Sequence, residues 1–299
     1  MLNRRGITLI EMLIVVVMLG LIGAALGQVF TSVMGSSSAQ VRIAATQGEA
    51  RVGTLLLPQE LREIGFDTNT TTMTATTDLI SIASDRIEFF ASRGLGITCG
   101  TPTLTEFRIR RDIIGQRIPL LTDRFLLFLE FDVNAAFDDQ WVPMQVTGID
   151  LNSTCDGSDP AITFTLAAAP EVAPSIAMAL TNHRVGGPLR WFERVEYGTV
   201  TDGTTGEVFV GRRSVSLGEA ALQPIIGPLT NAAAFSLVYY NAAGTVLNPA
   251  SANPLAVRSI ELRMTTSTNA NVSLGGSTRR ANSTFPVVTR VSLRNSLRP

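Results

Sequence analysis

Residues 1–30 read Met1-Leu-Asn-Arg-Arg-Gly6, then Ile7-Thr-Leu-Ile-Glu11, then Met12-Leu-Ile-Val-Val-Val-Met-Leu-Gly20-Leu-Ile-Gly23-Ala-Ala-Leu-Gly27-Gln-Val-Phe30. A short basic leader ends in a glycine. The 24 residues from Ile7 to Phe30 contain one ionisable side chain, Glu11. As a helix this run spans ~36 Å, enough to cross a hydrocarbon core of ~30 Å. A carboxylate inside such a helix costs ~2.5–3.5 kcal/mol at the bilayer centre and less near an end, so it calls for a partner or a purpose. Arg4 and Arg5 place the N-terminus on the cytoplasmic side. Two plainer readings stay open on these residues alone. One is a secretory signal cut near Ala24-Ala-Leu-Gly27, although the apolar run is long for one. The other is an ordinary signal anchor with an incidental glutamate.

Gly6-Ile-Thr-Leu-Ile-Glu11 resembles the N-terminal signal of type IV prepilins and pseudopilins. It departs from that pattern at Ile7, where phenylalanine is usual. The resemblance implies cleavage between Gly6 and Ile7 by a prepilin peptidase, and N-methylation of Ile7. It also implies an assembly role for Glu11, which would meet the amine of a neighbouring subunit and set axial register. A carboxylate one turn into a helix is independently favoured by the macrodipole. A buried amine–carboxylate pair is better evidence for register than for stability. Gly20, Gly23 and Gly27 place small residues along the same segment, and small faces let helices approach closely in lipid. Many major pilins carry proline where this chain has Gln28, so its absence argues against a marked kink and against a major-subunit role.

Past Phe30 the apolar positions Val33, Val41, Ala44, Ala45, Gly48, Val52, Leu55 and Leu56 recur near helical spacing. This predicts that the helix runs on to about Leu57, with that stripe covered by a folded domain. Gly35-Ser-Ser-Ser38 is its expected weak point. Pro58 is expected to end or kink it, with one or two further turns over 59–65.

From Phe66 the texture changes. Residues 67–84 are threonine-rich and read as loop. Short alternating runs then predict strands over 86–91, 106–110, 125–131, 141–146, 161–166, 189–197, 207–210, 235–240, 257–264 and 287–293. Thr201-Asp-Gly-Thr-Thr-Gly206 reads as a hairpin turn. The expected architecture is α+β: a leader (1–6), a transmembrane assembly helix (7–30), an amphipathic extension (31–65) and an exported head (66–299) with an antiparallel sheet packed on the helix.

Composition narrows the chemistry. All 24 basic residues are arginine, against 25 acidic ones. That near balance leaves no polybasic footprint for nucleic acid, and the absence of lysine excludes Schiff-base and phosphate-loop lysine chemistry. There is no phosphate loop and no metal-spaced His/Cys set, so no cofactor, metal site or catalytic residue is expected. The lone His183 reads as a surface residue. Asp138-Asp139 and Asp156-Gly-Ser-Asp159 lack the spacing of a calcium loop and read as solvated carboxylates. Cys99 and Cys155 lie on the exported side, where an even count suggests one disulfide; two buried thiols are the alternative.

Later segments resemble PilW-like minor pilins and J-type pseudopilins of type II secretion. These are Glu49-Ala-Arg51, Leu61-Arg-Glu-Ile-Gly-Phe66, Phe235 through Gly244, Val257 through Arg263, and Val291 through Asn295. The resemblance implies a non-enzymatic subunit of the inner membrane and then of a pilus or pseudopilus, at the tip or in priming. Its implied partners are minor and major pilins, the peptidase, an inner-membrane assembly platform and an assembly ATPase. Two rival readings are a filament-borne binding module, such as an adhesin or DNA-uptake subunit, and a plain membrane-anchored exported domain.

Overall fold

The computed structural model describes residues 8–64, 78–100, 102–129, 140–167, 185–274 and 277–293. Helix α1, Leu9–Arg62, is continuous for 54 residues, or ~81 Å. It does not break at Gly35-Ser-Ser-Ser38. There the Ser36 and Ser38 hydroxyls donate to the carbonyls of Val33 and Gly35, each at 2.9 Å. The serines bond back into the helix instead of competing with it. Nor does Pro58 end α1, which continues to Arg62. The proline removes one backbone donor, but Leu57, Leu61 and Ile64 around it are fully buried. Burial of each contributes ~1.5–3 kcal/mol, which offsets the lost bond.

The strands follow in chain order: β1 (Leu79–Ile82), β2 (Arg86–Ile97), β3 (Glu106–Arg110), β4 (Ile114–Gly115), β5 (Arg124–Leu129), β6 (Gln140–Met144), β7 (Val146–Thr154) and β8 (Pro160–Leu166). Then come β9 (Pro188–Thr201), β10 (Val208–Ser214), β11 (Gln223–Leu229), β12 (Phe235–Tyr240), β13 (Val246–Leu247), β14 (Ser259–Leu274) and β15 (Ser277–Ser292). A large antiparallel sheet runs β1-β2-β9-β10-β11-β14-β12-β13, with β15 on β14, β4 on β2, and β5-β6 on β9. A second sheet, β3-β8-β7, stands apart from it. The α+β layout of a long helix against antiparallel strands is as expected; the second sheet is not a feature that alternation could reveal.

Two local expectations are corrected and a third is described only in part. The threonine-rich segment expected to be loop through Ser84 holds β1, whose Leu79 is buried and paired with Phe89 of β2. The run expected over 141–146 divides at Gln145 into β6 and β7, which belong to different sheets. The strand expected over 125–131 is described as far as Leu129; the last two residues lie outside the described residues. The turn at 201–206 joins β9 to β10 as an antiparallel pair, with the Gly206 amide donating to the Asp202 carbonyl at 2.8 Å.

The largest correction concerns which face of the outer helix is covered. The head buries Ala39, Ala50, Gly53, Leu57, Leu61 and Ile64. The expected stripe faces the other way: Val33, Val41, Leu55 and Leu56 are 58%, 67%, 69% and 49% exposed. Ala44, Ala45 and Gly48 are exposed too, and the Val52 side chain lies outside the described residues. The reason is steric. The sheet comes so close that a Cβ on Gly53 would lie 2.7 Å from Ile226 Cδ1. On the covered side Gly53 leaves room for Ile226, while Leu57, Leu61 and Ile64 supply the apolar contacts of the first core.

The head has two main cores. In the first, the end of α1 packs on Phe89, Val195, Tyr197, Leu237, Tyr239, Ile260 and Leu262. In the second, the small sheet packs on β5, β6 and the start of β9. Phe164 stacks on Phe107 at 4.9 Å and meets Phe125 edge-on at 5.3 Å. The Cys99–Cys155 disulfide joins the end of β2 to the loop after β7, with the two Cα atoms 5.6 Å apart. With Ala161 it forms a small satellite cluster.

Candidate functional site

The candidate site is the helical rod and its two ends. Thr8 is the N-cap of α1, and Thr8-Leu-Ile-Glu11 closes a capping box. The Thr8 amide donates to Glu11 Oε2 at 2.9 Å, and the Thr8 hydroxyl donates to the same oxygen at 3.0 Å. The Glu11 amide donates back to Thr8 Oγ1 at 3.4 Å. The carboxylate therefore points back toward the start of the helix and completes the amides that a helix N-terminus leaves open. Its Oε1 has no partner among the described residues. Sequence reasoning overlooked Thr8, although Thr-x-x-Glu before an apolar run is itself a capping signal.

Gly6 and Ile7 lie outside the described residues. From Leu9 to Phe30 every side chain is exposed, aliphatic residues included. The helix is long and apolar enough over Leu9–Ala45 to cross a membrane, and none of its most apolar window is buried by the rest of the chain. A Cβ placed on Gly20, Gly23 or Gly27 would meet nothing within 4 Å. These glycines leave shallow notches that no described residue fills. Past Phe30, the exposed Val33, Val41, Ala44, Ala45, Gly48, Leu55 and Leu56 extend the apolar surface on the side away from the head.

The other end of the rod is clamped. Glu60, in the last turns of α1, accepts from the Tyr197 hydroxyl at 2.6 Å and pairs with Arg93 at 2.9 Å. Arg93 also pairs closely with Glu193, which Arg212 reaches at 3.1 Å. Burial pushes the Tyr197 hydroxyl well above the ordinary tyrosine range, and the adjacent Glu60 charge pushes it further. Burial alone would raise the Glu193 carboxyl. The Ser214 bond and the Arg93 and Arg212 guanidiniums outweigh it and hold Glu193 below the usual range. This clamp was not legible in the sequence, because Glu60, Arg93, Glu193 and Arg212 are far apart along the chain.

Among the described residues, no group of three or more His, Cys, Asp or Glu side chains is placed to hold a metal. Asp138, Asp139 and His183 lie outside the described residues.

Residues 1–27 match the family model of the prokaryotic N-terminal methylation motif. No curated protein and no solved structure matches the chain. The matched segment contains Gly6, Ile7, the Thr8–Glu11 box and most of the exposed apolar rod. By that N-terminal segment, on a long apolar helix followed by an antiparallel β-rich head, the chain is a type IV prepilin- or pseudopilin-like protein.

Proposed function

We propose that this chain is a minor pilin or pseudopilin subunit, cut between Gly6 and Ile7, N-methylated at Ile7, and assembled through α1 into a type IV pilus-like filament. The observation that carries the reading is the apolar surface of α1 on the side away from the head. It continues beyond the membrane-length segment, which reaches Ala45, to Leu55 and Leu56. From Val41 to Leu56 this surface extends ~23 Å along the helix. The 37 residues of Leu9–Ala45 already exceed a hydrocarbon core of ~30 Å, so lipid does not account for Leu55 and Leu56, and large exposed apolar patches mark association sites. Neighbouring rods of like chemistry would cover them, with Gly20, Gly23 and Gly27 permitting close approach in the first half. Glu11 would then take the Ile7 amine of an adjacent subunit on the oxygen that the capping box leaves open. A PilW-like role at the filament tip or in priming fits the large two-core head. In this reading the partners are other minor and major pilins, the prepilin peptidase and the inner-membrane assembly platform. The head faces the exported side, and the subunit passes from the inner membrane to the cell surface.

The test is the mass of the mature N-terminus. A chain beginning at a methylated Ile7 is expected. An intact Met1, or a cut near Gly27, defeats the proposal.

A further inference from the structure

Alternate residues of β9 share one face of the large sheet, and along that face the chemistry changes twice. Leu189 and Trp191 enter the second core, while Val195 and Tyr197 enter the first. Between them stands Glu193, 4% exposed, held by Arg93 and Arg212. On β2 the register shifts between Ser92 and Gly94, so Arg93 is the extra residue of a bulge. Its side chain joins Glu193 to Glu60 at the end of α1. A layer of charge thus parts two apolar cores on one sheet, with α1 under the first and the small sheet under the second.

The chain leaves and re-enters this arrangement at adjacent points. Ile97 of β2 pairs with Pro188 of β9. The Thr98 amide donates to the Gly187 carbonyl at 2.8 Å, and the Gly186 amide donates to the Thr98 carbonyl at 3.0 Å. The described residues between them form one excursion with its ends side by side, the geometry in which inserted domains are tolerated. Both cysteines lie within it, joined near its neck. The first core contains none.

We propose that the described residues between Gly94 and Trp191 form a second folding unit, inserted into an assembly platform made of α1 and the first core, and that the Cys99–Cys155 bond governs the inserted unit alone. Closing that bond transfers two electrons and two protons from the two thiols to a disulfide-bearing exported oxidant, which leaves as a dithiol. The platform needs no such step. It therefore assembles in either redox state, a clause that rests on the assembly reading above. The contacts that cross the layer include the Gln116 amide donating to the Arg93 carbonyl at 2.9 Å and the Arg124–Asp78 ion pair at 2.9 Å.

The chain carries its own probes. Both tryptophans, Trp141 and Trp191, lie in the inserted unit, and all three tyrosines, Tyr197, Tyr239 and Tyr240, lie in the platform. Full-length protein in detergent micelles is unfolded in urea with and without dithiothreitol, followed by tryptophan fluorescence and by second-derivative tyrosine absorbance. Reductant is expected to raise the unfolding constant seen by tryptophan ~100-fold and to leave the tyrosine midpoint in place. The Cys99→Ser/Cys155→Ser variant is expected to behave the same way without reductant, and to enter filaments as the parent does. Coincident shifts at both probes overturn the insertion, since they describe one cooperative unit. Separate shifts with loss of filament entry overturn the platform clause. A parent chain absent from filaments defeats the assembly reading, and the two spectroscopic midpoints still decide the insertion.

Discussion

The Tyr197 hydroxyl donates to Glu60 Oε2 across 2.6 Å, tying the last turns of the rod to the middle of β9. Arg93 holds the other oxygen of the same carboxylate at 2.9 Å. One partly buried glutamate thus ties the helix to two strands, accepting from Tyr197 on β9 and ion-paired with Arg93 on β2. Tyr197→Phe removes one bond to a charged acceptor and is expected to cost ~1.5–3 kcal/mol. Arg93→Met leaves Glu60 and Glu193 facing each other without their shared cation and is expected to cost ~3–5 kcal/mol. Urea unfolding followed by tyrosine absorbance measures both. If the arginine variant is no less stable than the tyrosine variant, the clamp is not organised around Arg93.

Alkaline stability follows from buried hydroxyls. Tyr197 and Tyr239 both have folded-state pKa values raised above the ordinary tyrosine value, in each case chiefly by burial. A raised pKa contributes stability that is fully present below the unfolded value of ~10 and is lost as pH rises above it. There the unfolded chain releases protons that the folded chain keeps. Unfolding free energy is therefore expected to fall above pH ~10 and to fall less steeply in Tyr197→Phe. Identical slopes for parent and variant between pH 9 and 11 on the ordinary tyrosine scale would contradict a buried, protonated Tyr197.

Close approach of helix and sheet is testable at Gly53. An added Cβ would lie 2.7 Å from Ile226 Cδ1 and 2.8 Å from its Cγ2. Gly53→Ala is expected to destabilise by ~1–3 kcal/mol through overpacking. Ile226→Ala alone costs a cavity. Combined, the two substitutions are expected to cost less than the sum of their separate effects, with a coupling of ~0.5–3 kcal/mol. Strict additivity in a denaturation cycle would show that the two residues do not meet.

The exposed side of the outer helix separates assembly from folding. Val41 and Leu55 touch little in the single chain. Val41→Asp and Leu55→Asp are expected to leave unfolding free energy within ~0.5 kcal/mol of the parent. Filament incorporation, scored as the ratio of sheared to membrane-bound protein, is expected to fall more than ~10-fold, because each buried aliphatic is worth ~1.5–3 kcal/mol and a carboxylate cannot replace it. Normal incorporation of both variants would remove the outer helix from the proposed subunit interface.

Much of the architecture is a property of local sequence. The apolar run from Ile7 to Phe30 and the position of Glu11 define the rod, because neither lipid-length hydrophobicity nor a lone carboxylate depends on distant residues. Strands such as β3, β8 and β12 are visible as alternation, since side chains on a pleated strand change face at every residue. The capping box at Thr8 and Glu11 spans four residues and is legible in the same way. Short edge strands such as β4 and β13 are not, because two residues carry no periodicity.

Three other features belong to the tertiary structure. The outer helix has apolar residues on both sides, and periodicity cannot choose between them; the covered side is the one on which Leu57, Leu61 and Ile64 join the first core and Gly53 lets Ile226 approach. The partition into two cores depends on a bulge at Arg93, one extra residue that no alternation pattern announces. The Glu60–Arg93–Glu193–Arg212 layer gathers charges from α1, β2, β9 and β10. Each of those residues looks like a surface side chain in its own segment. They become buried or partly buried partners only when long-range strand pairing removes water from between them, since an ion is stable out of water only beside its counter-ion.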